Sequence, residues 1–402
     1  MSMRGVYWLA FLVVAAPLQA QEFELDLVFD DDSIFGDAAV EVAAPGPTIS
    51  ALLSYDQLKV AGATTQGWTL QFNLSDSYDL GDLGILDWSG HLTVQNAGTA
   101  SVTLDRLQYQ NSAGNVSWQL GKYRIGWGEV EGFPVLDVLN SGLSISSIDT
   151  PPSELPGQWF ASVDLFSGQN IFSTFVGLAP EVAHQLPKMP QDQDFELGAS
   201  ASFPITNGQL SLYGARLLPQ SGVVELVTMI SSARPYTLLG ISAHRALDAV
   251  LLEFDLALKS GLQRAEAAGL SAHRRIDAAI GIEVAASETA QFSAGVMAQH
   301  WLEQSTNYFD YGPSGAVAAA QTSASYLLGA SNSFVNDRLS LSVNVGGALD
   351  GSTTFAALSA DFSVSDALKV SATVTQIAAG AGSLLGALDG AQTARLAVEY
   401  FF

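Results

Sequence analysis

The chain has 402 residues, is 48% hydrophobic and contains no cysteine, which excludes disulfide frameworks, thiol catalysis and thiolate metal sites. It carries 40 acidic against 16 basic side chains, a formal net charge of -24 at pH 7. A surface of this sign repels nucleic acid and offers no basic patch to anionic lipid headgroups, so no nucleic-acid partner is expected.

Residues 1–20 are organised as a secretory signal peptide. Arg4 lies in a short basic start, an apolar run follows over residues 6–16, and residues 18–20 (LQA) form a cleavage site. We therefore expect the chain to leave the cytoplasm. No later apolar stretch reaches the roughly 18 residues that a spanning helix needs, which excludes a helical membrane protein.

Residues 21–48 form an acidic N-terminal segment, which contains EFELDLVFDDDSIFGD and a linker-like AAPGPT. The favoured interpretation is a disordered periplasmic tail, and the alternative is a short segment in the mouth of the barrel predicted below. Residues 30–32 (DDD) lack the alternate spacing and the glycine of an EF-hand loop. No metal site is predicted here.

From residue 49 onward, segments of about ten residues alternate between apolar and polar side chains. Their apolar members include Trp68, Leu70, Phe72 and Leu74; Phe195, Leu197 and Phe203; Leu252, Phe254, Leu256 and Leu258; Ile276, Ile280 and Ile282; and Leu339, Leu341, Val343 and Val345. A tilted strand of this length crosses the hydrocarbon layer of a membrane. The pattern predicts an all-β fold, a single transmembrane antiparallel β-barrel over residues 49–402.

The spacing of turns distinguishes this barrel from a soluble β-sandwich, whose strands would also alternate. Short turns such as 336–337 and 365–366 separate strands whose opposite ends carry long connections, such as 303–322 and 379–392. Both chain ends should lie on the periplasmic side, which requires an even number of strands. We predict about 18 strands, with 16 as the alternative, short periplasmic turns and longer extracellular loops.

The stretch 121–159, GKYRIGWGEVEGFPVLDVLNSGLSISSIDTPPSELPGQW, interrupts the barrel pattern. Between residues 126 and 157 its charged side chains are Glu129, Glu131, Asp137, Asp149 and Glu154. Two hypotheses remain open: a solvated outer loop, or a segment folded inward whose carboxylates constrict a pore. Long loops in compact proteins are more often functional than idle.

Basic side chains could line the opposite side of such a constriction. The pore-constriction candidates are Lys122, Arg124, Glu129, Glu131, Asp137, Arg338, Lys369 and Arg395. Acidic and basic groups on opposite walls would create a transverse field that selects polar or charged solutes. The alternative is that the basic groups pair with Asp361 and Glu399 and stiffen the wall.

The last ten residues, TARLAVEYFF, place Leu396, Val398, Tyr400 and Phe402 on one apolar face. This segment resembles the terminal strand of bacterial outer-membrane β-barrels, which closes the barrel and is recognised by the assembly machinery. The resemblance implies an outer-membrane location, an assembly signal at Tyr400 and Phe402, and two partners, the membrane lipid and the barrel-assembly machinery. The alternative is an ordinary sandwich strand.

The sequence GKYR followed by WGE and LDVLN also resembles a strand and loop of porin-like Gram-negative barrels, including alginate-export-like ones. The resemblance implies a channel for passive passage of small solutes, or the outer-membrane part of a transport route for a solute or lipid-like substrate, without a cofactor. Two alternatives remain: a structural or surface-interaction barrel with a closed lumen, and a barrel enzyme such as a phospholipase.

No catalytic residue and no metal ligand are predicted. The five histidines, His91, His184, His244, His273 and His300, are scattered along the chain. The sequence contains neither the G-x-S-x-G motif of hydrolases nor the H-E-x-x-H motif of zinc proteases. An enzyme is therefore the less favoured hypothesis.

Overall fold

Alternating apolar and polar residues form long antiparallel strands throughout the described chain. The computed structural model describes residues 46–96, 98–139, 157–178, 195–219, 221–267, 269–303, 308–312, 314–380 and 382–402. The signal peptide (1–20) and nearly all of the acidic segment (21–48) lie outside these residues, so both stay predictions. No helix in the described ranges has both the length and the apolarity needed to cross a membrane.

The strands follow one another with few other elements between them. In chain order they are β1 (Thr48–Val60), β2 (Ala63–Asp79), β3 (Ile85–Gln95), β4 (Ala100–Ala113), β5 (Val116–Tyr123), β6 (Gln158–Ser167), β7 (Asn170–Leu178), β8 (Phe195–Ile205), β9 (Gly208–Leu217), β10 (Val223–Glu225), β11 (Ile230–Ser232), β12 (Tyr236–Leu247), β13 (Val250–Glu266), β14 (Gly269–Ala285), β15 (Ala290–Trp301), β16 (Tyr308–Gly312), β17 (Gly315–Ala318), β18 (Thr322–Phe334), β19 (Leu339–Ala348), β20 (Thr353–Ser365), β21 (Leu368–Ala379) and β22 (Gln392–Phe401).

These strands close into an antiparallel barrel of 18 strands, as the sequence predicted. Closure occurs between the first and last strands, where Tyr55 of β1 lies opposite Leu396 of β22. The hairpins β10–β11 and β16–β17 are not part of the barrel wall, since β9 pairs directly with β12 and β15 with β18. A closed barrel leaves no unpaired sheet edge.

The two faces of the barrel differ as the alternation predicted. Val343, Leu358 and Leu396 are exposed on the outer surface. Each alternates along its strand with small or charged side chains that face the interior, such as Ser342 and Arg395. An apolar outer band and a polar interior are the two faces that a membrane-spanning barrel requires.

The connections also differ between the two ends of the barrel. At the end where β1 begins and β22 finishes, every connection is short, and residues 80–84 form the longest of them. We call this end the short-turn rim. The opposite end, the long-loop rim, carries the connections 124–157, 179–194, 218–235, 302–321 and 380–391. The asymmetry predicted from the sequence is confirmed.

Candidate functional site

Residues 124–139, here called the inner segment, leave the end of β5 and pack against the inside of the barrel wall. The large apolar side chains that anchor it, Trp127, Val130, Phe133 and Leu136, are buried in the main apolar cluster of the protein. The Trp127 ring lies 5.5 Å from that of Phe175 in β7 and 4.9 Å from that of Tyr213 in β9. The segment therefore occupies the lumen and is not a solvated outer loop.

Glycines on the wall provide the space for these apolar side chains. A Cβ atom on Gly240 would lie 2.3 Å from Leu136 Cδ2, and one on Gly295 would lie 2.5 Å from Phe133 Cε2. A Cβ atom on Gly281 would lie 3.0 Å from Val130 Cγ1, and one on Gly198 would lie 2.9 Å from Trp127 Cη2. Real side chains do not approach this closely, because protein interiors are already close-packed. We call Gly198, Gly240, Gly281 and Gly295 the docking glycines.

A carboxylate on the wall holds the backbone of the inner segment. Asp255 of β13 is buried and accepts hydrogen bonds from the backbone N–H groups of Glu129, at 3.0 Å, and Val130, at 3.2 Å. These two donors belong to a stretch without regular secondary structure, so they have no partner in a helix or sheet. Asp255 thus satisfies buried N–H groups that would otherwise be costly.

A second polar group on the wall lies beneath the same segment. The Lys259 ammonium is 2.7 Å from Asp277 Oδ2 and donates to the carbonyl of Pro134 at 3.4 Å. Arg275 completes the group with two hydrogen bonds to Asp277, at 2.6 and 2.7 Å. Because each buried charge has an opposite partner, this cluster supports the inner segment without leaving an isolated ion.

The predicted acidic residues of the loop lie on this inner segment. Glu129 Oε2 is 2.9 Å from Nδ1 of His244 in β12. Glu131 and Asp137 are exposed. Arg124 is partly buried at the start of the segment, and burial lowers the pKa of its guanidinium while the nearby Asp137 opposes that shift. The structure thus brings Arg124, Glu129, Glu131 and Asp137 together inside the barrel.

The wall that the inner segment does not cover is polar and accessible. Its inward side chains along β2, β3 and β19–β21 include the partly exposed Asn73, Ser89, Ser342, Asn344, Ser359 and Thr373, whereas Ser50 and Ser54 of β1 are buried. Arg106, midway along β4, is 48% exposed, and Arg395 of β22 is 42% exposed. By contrast, Ser242 and Asp277 under the inner segment are 0% exposed. Solvent-accessible space therefore remains on one side of the lumen.

Two predicted basic residues face this space in ion pairs. Lys369 lies 3.1 Å from Asp361, and Arg395 lies 3.7 Å from Asp56. Glu399 accepts a hydrogen bond from Ser50 at 2.7 Å. Pairing with Asp361 is thus observed for Lys369, whereas Arg395 pairs with Asp56 and not with Glu399.

The prediction that Lys122 lines the lumen is wrong. Gly121 and Tyr123 point inward, and Tyr123 is buried with its ring 5.6 Å from that of Phe160. Lys122 lies between them and faces outward, where its ammonium donates to the carbonyl of Leu104. The alternation ends at Tyr123, so the spacing between Lys122 and Arg124 does not place them on one face.

Arg338 also lies away from the predicted position. It was expected on the polar face of a strand, but β19 begins at Leu339 and Arg338 belongs to the exposed turn 335–338 at the short-turn rim. Val335, Asn336 and Asp337 in that turn have positive φ angles, which end the strand alternation before Arg338 is reached.

Comparison with solved structures identifies the architecture. No protein-family model matches the sequence, and no curated protein matches it significantly. The chain superimposes on Pseudomonas aeruginosa OccK2 (OpdF), crystallised with glucuronate, with a TM-score of 0.56, 15% identity, and coverage of 89% of this chain and 96% of that chain. For Acinetobacter baumannii OccAB4 the TM-score is 0.55 at 10% identity, with 90% and 99% coverage. For the outer membrane protein OpdK of Pseudomonas aeruginosa it is 0.53 at 11% identity, with 89% and 98% coverage.

The fold is that of an outer-membrane porin. The structural neighbours of this barrel are porins and not enzymes. Within the described ranges, no three His, Asp or Glu side chains are grouped so that they could hold a metal ion.

Sequence reasoning missed the parts of the barrel wall that hold the inner segment. Asp255 and Lys259 stood on the predicted polar face of β13, and two opposite charges in one spanning strand were an available signal. The docking glycines carried no such signal, since glycine in a strand also marks bulges and weak pairing.

Proposed function

We propose that this protein is a channel of the bacterial outer membrane through which small polar solutes diffuse passively. The observation that carries the proposal is the uneven burial of the lumen. Arg106 and Arg395 remain nearly half exposed on one side, whereas side chains under the inner segment are inaccessible. A lumen closed by protein atoms would bury both sides, so the inner segment narrows the barrel without filling it.

The passage lies between the inner segment and the hydroxyl- and amide-rich wall of β1–β4 and β19–β22. Such a wall can exchange hydrogen bonds with a hydrated solute at little cost. Asp255 and the docking glycines fix the segment against the other wall, so the width of the passage is built into the fold. The crystallisation of OccK2 with glucuronate supports a small hydrophilic solute for a barrel of this architecture.

Planar-bilayer recording tests this function directly. Folded protein, verified by its heat-modifiable migration, is expected to give stepwise current increases, and a boiled sample is expected to give none. Folded barrel that inserts but produces no openings would instead favour the structural barrel with a closed lumen. Fractionation of cells expressing the full chain would show whether the protein resides in the outer membrane.

A further inference from the structure

A group of carboxylates lies where the inner segment meets the wall. Glu253 of β13 is 8% exposed and makes no hydrogen bond or ion pair with any residue that the structure describes. It lies within electrostatic range of Glu129, Glu131 and Glu283. Glu131 likewise has no such partner, and Glu283 accepts only an amide hydrogen bond from Gln291, at 2.9 Å. We call Glu129, Glu131, Glu253 and Glu283 the carboxylate cluster.

Five basic side chains in the described part of the lumen form ion pairs. The ion pairs are Lys259 and Arg275 with Asp277, Arg106 with Asp87, Lys369 with Asp361, and Arg395 with Asp56. Arg264 is 2% exposed and stacks against the rings of Trp301, at 4.5 Å, and Tyr308, at 4.4 Å. Arg124 lies beside Asp137 at the start of the inner segment. The carboxylate cluster is thus an excess of negative charge beside the passage.

We propose that this channel selects organic cations and neutral, hydroxyl-rich solutes over carboxylates, an inference that rests on the proposed channel function. A carboxyl group as buried as Glu253 has no counter-charge from the described residues, so it is either protonated or offset by a mobile cation. In both states the cluster offers no positive charge to a permeating anion. In a narrow passage the cluster interacts with a permeating charge more strongly than it would in bulk water. Neutral solutes are not repelled and can hydrogen-bond to the serine- and asparagine-rich wall.

This selectivity differs from what the neighbouring structure would suggest. Glucuronate, found with OccK2, is an anion. Here an anion would pass a cluster of carboxylates, while the lumen-facing cations Lys369 and Arg395 are each held in an ion pair. Since the described residues form no group able to chelate a metal, the cluster supplies a diffuse field and not a tight ion site.

The proposed selectivity can be tested with three sugars that have the same ring size and different charges. Liposomes containing the full-length barrel are placed at neutral pH, where glucosamine is a cation and glucuronate an anion, in iso-osmotic solutions of glucose, glucosamine or glucuronate, and the swelling rates are compared. Glucosamine and glucose are expected to enter faster than glucuronate. Faster entry of glucuronate would overturn the inference while leaving channel function intact. A barrel that passes none of the three and gives no conductance would contradict channel function itself.

A double variant tests which residues set the selectivity. Glu131→Gln with Glu253→Gln replaces two carboxyl groups that make no hydrogen bond or ion pair with a described residue, so the wall contacts are kept. The K⁺/Cl⁻ permeability ratio from reversal potentials should exceed one in the wild type and fall toward one in the variant, most clearly at low ionic strength, where screening is weak. Asp366→Asn, in the exposed turn after β20, is the matched control and should leave the ratio unchanged. A folded double variant with the wild-type ratio would contradict the proposal.

Discussion

Neighbouring residues on one strand face different solvents and should tolerate charge very differently. Val343 lies midway along β19 on the outer face, and Ser342 beside it faces the lumen. Val343→Arg places a charge near the centre of the bilayer and should lower the free energy of unfolding by roughly 2 to 4 kcal/mol. Ser342→Arg should be much milder. Urea titration of both variants in lipid vesicles checks this, and equal losses would mean that the two faces are misassigned.

Attachment of the inner segment to the barrel wall should depend on one carboxylate, that of Asp255. Asp255→Ala removes the acceptor of two backbone hydrogen bonds, and a hydrogen bond to a charged group contributes about 1.5 to 3 kcal/mol. We expect the segment to detach, so that single-channel conductance becomes larger and more variable. Asp255→Asn keeps one acceptor oxygen and should be intermediate. Wild-type conductance in the alanine variant would show that the apolar contacts alone hold the segment.

For single residues, the sequence predicted whether a side chain lies on the lumen face or the lipid face of the wall, wherever the strand continues. Arg395 is inside the barrel because alternation holds throughout β22. Lys122 and Arg338 were misplaced because each lies next to a strand end, where the period of two stops. The partners of Glu129 could not be predicted, since His244 is 115 positions away along the chain.

The inner segment is an element without regular secondary structure, so its shape comes from the wall on which it packs. Gly240→Leu and Gly295→Leu would force side-chain atoms into the space of Leu136 and Phe133, and overpacking of this kind costs about 1 to 3 kcal/mol. We expect displacement of the segment and a changed conductance in each variant. Gly214→Leu is the control, because the nearest atom to a Cβ there is 3.7 Å away. Equal effects at all three positions would implicate strand propensity and not docking.

Strands were the most predictable elements and the inner segment the least. Strands such as 170–178 were found because a wall with lipid on one side and water on the other imposes a period of two. For the inner segment the sequence left two hypotheses open, an outer loop and a segment folded into the pore, because carboxylates are compatible with both positions. Its apolar residues Trp127, Val130, Phe133 and Leu136 recur every three positions, and this periodicity was the signal for packing on a surface.

Closure of the whole barrel depends on the C-terminal strand. Phe402 is 74% exposed on the outer face, its ring lies 4.9 Å from that of Tyr400, and its N–H donates to the carbonyl of Ile49 at 3.0 Å. We expect deletion of Phe402, or Phe402→Asp, to reduce the amount of folded barrel in the outer membrane while export continues. Heat-modifiability and protease resistance of the membrane fraction measure this, and normal values would count against an assembly signal at Tyr400 and Phe402.

The strand number was predictable because a barrel with both ends at one rim must have an even number of strands. That argument needs only the turn spacing and the length of chain available. Charge selectivity required the structure, because the net charge of -24 does not reveal which carboxylates face the passage and which are paired. Glu253 and Asp277 are both acidic and buried, yet only Asp277 has cationic partners.

The position of the docking glycines along the chain sets an order of events during folding. Gly198, Gly240, Gly281 and Gly295 all follow the inner segment, at separations of roughly 70 to 160 residues. The surface that receives Trp127, Val130, Phe133 and Leu136 therefore does not exist until β8, β12, β14 and β15 have paired. The constriction must form late, on a wall that is already built. Changes to the inner segment should accordingly alter how the finished barrel conducts and leave the rate at which it is built nearly unaffected.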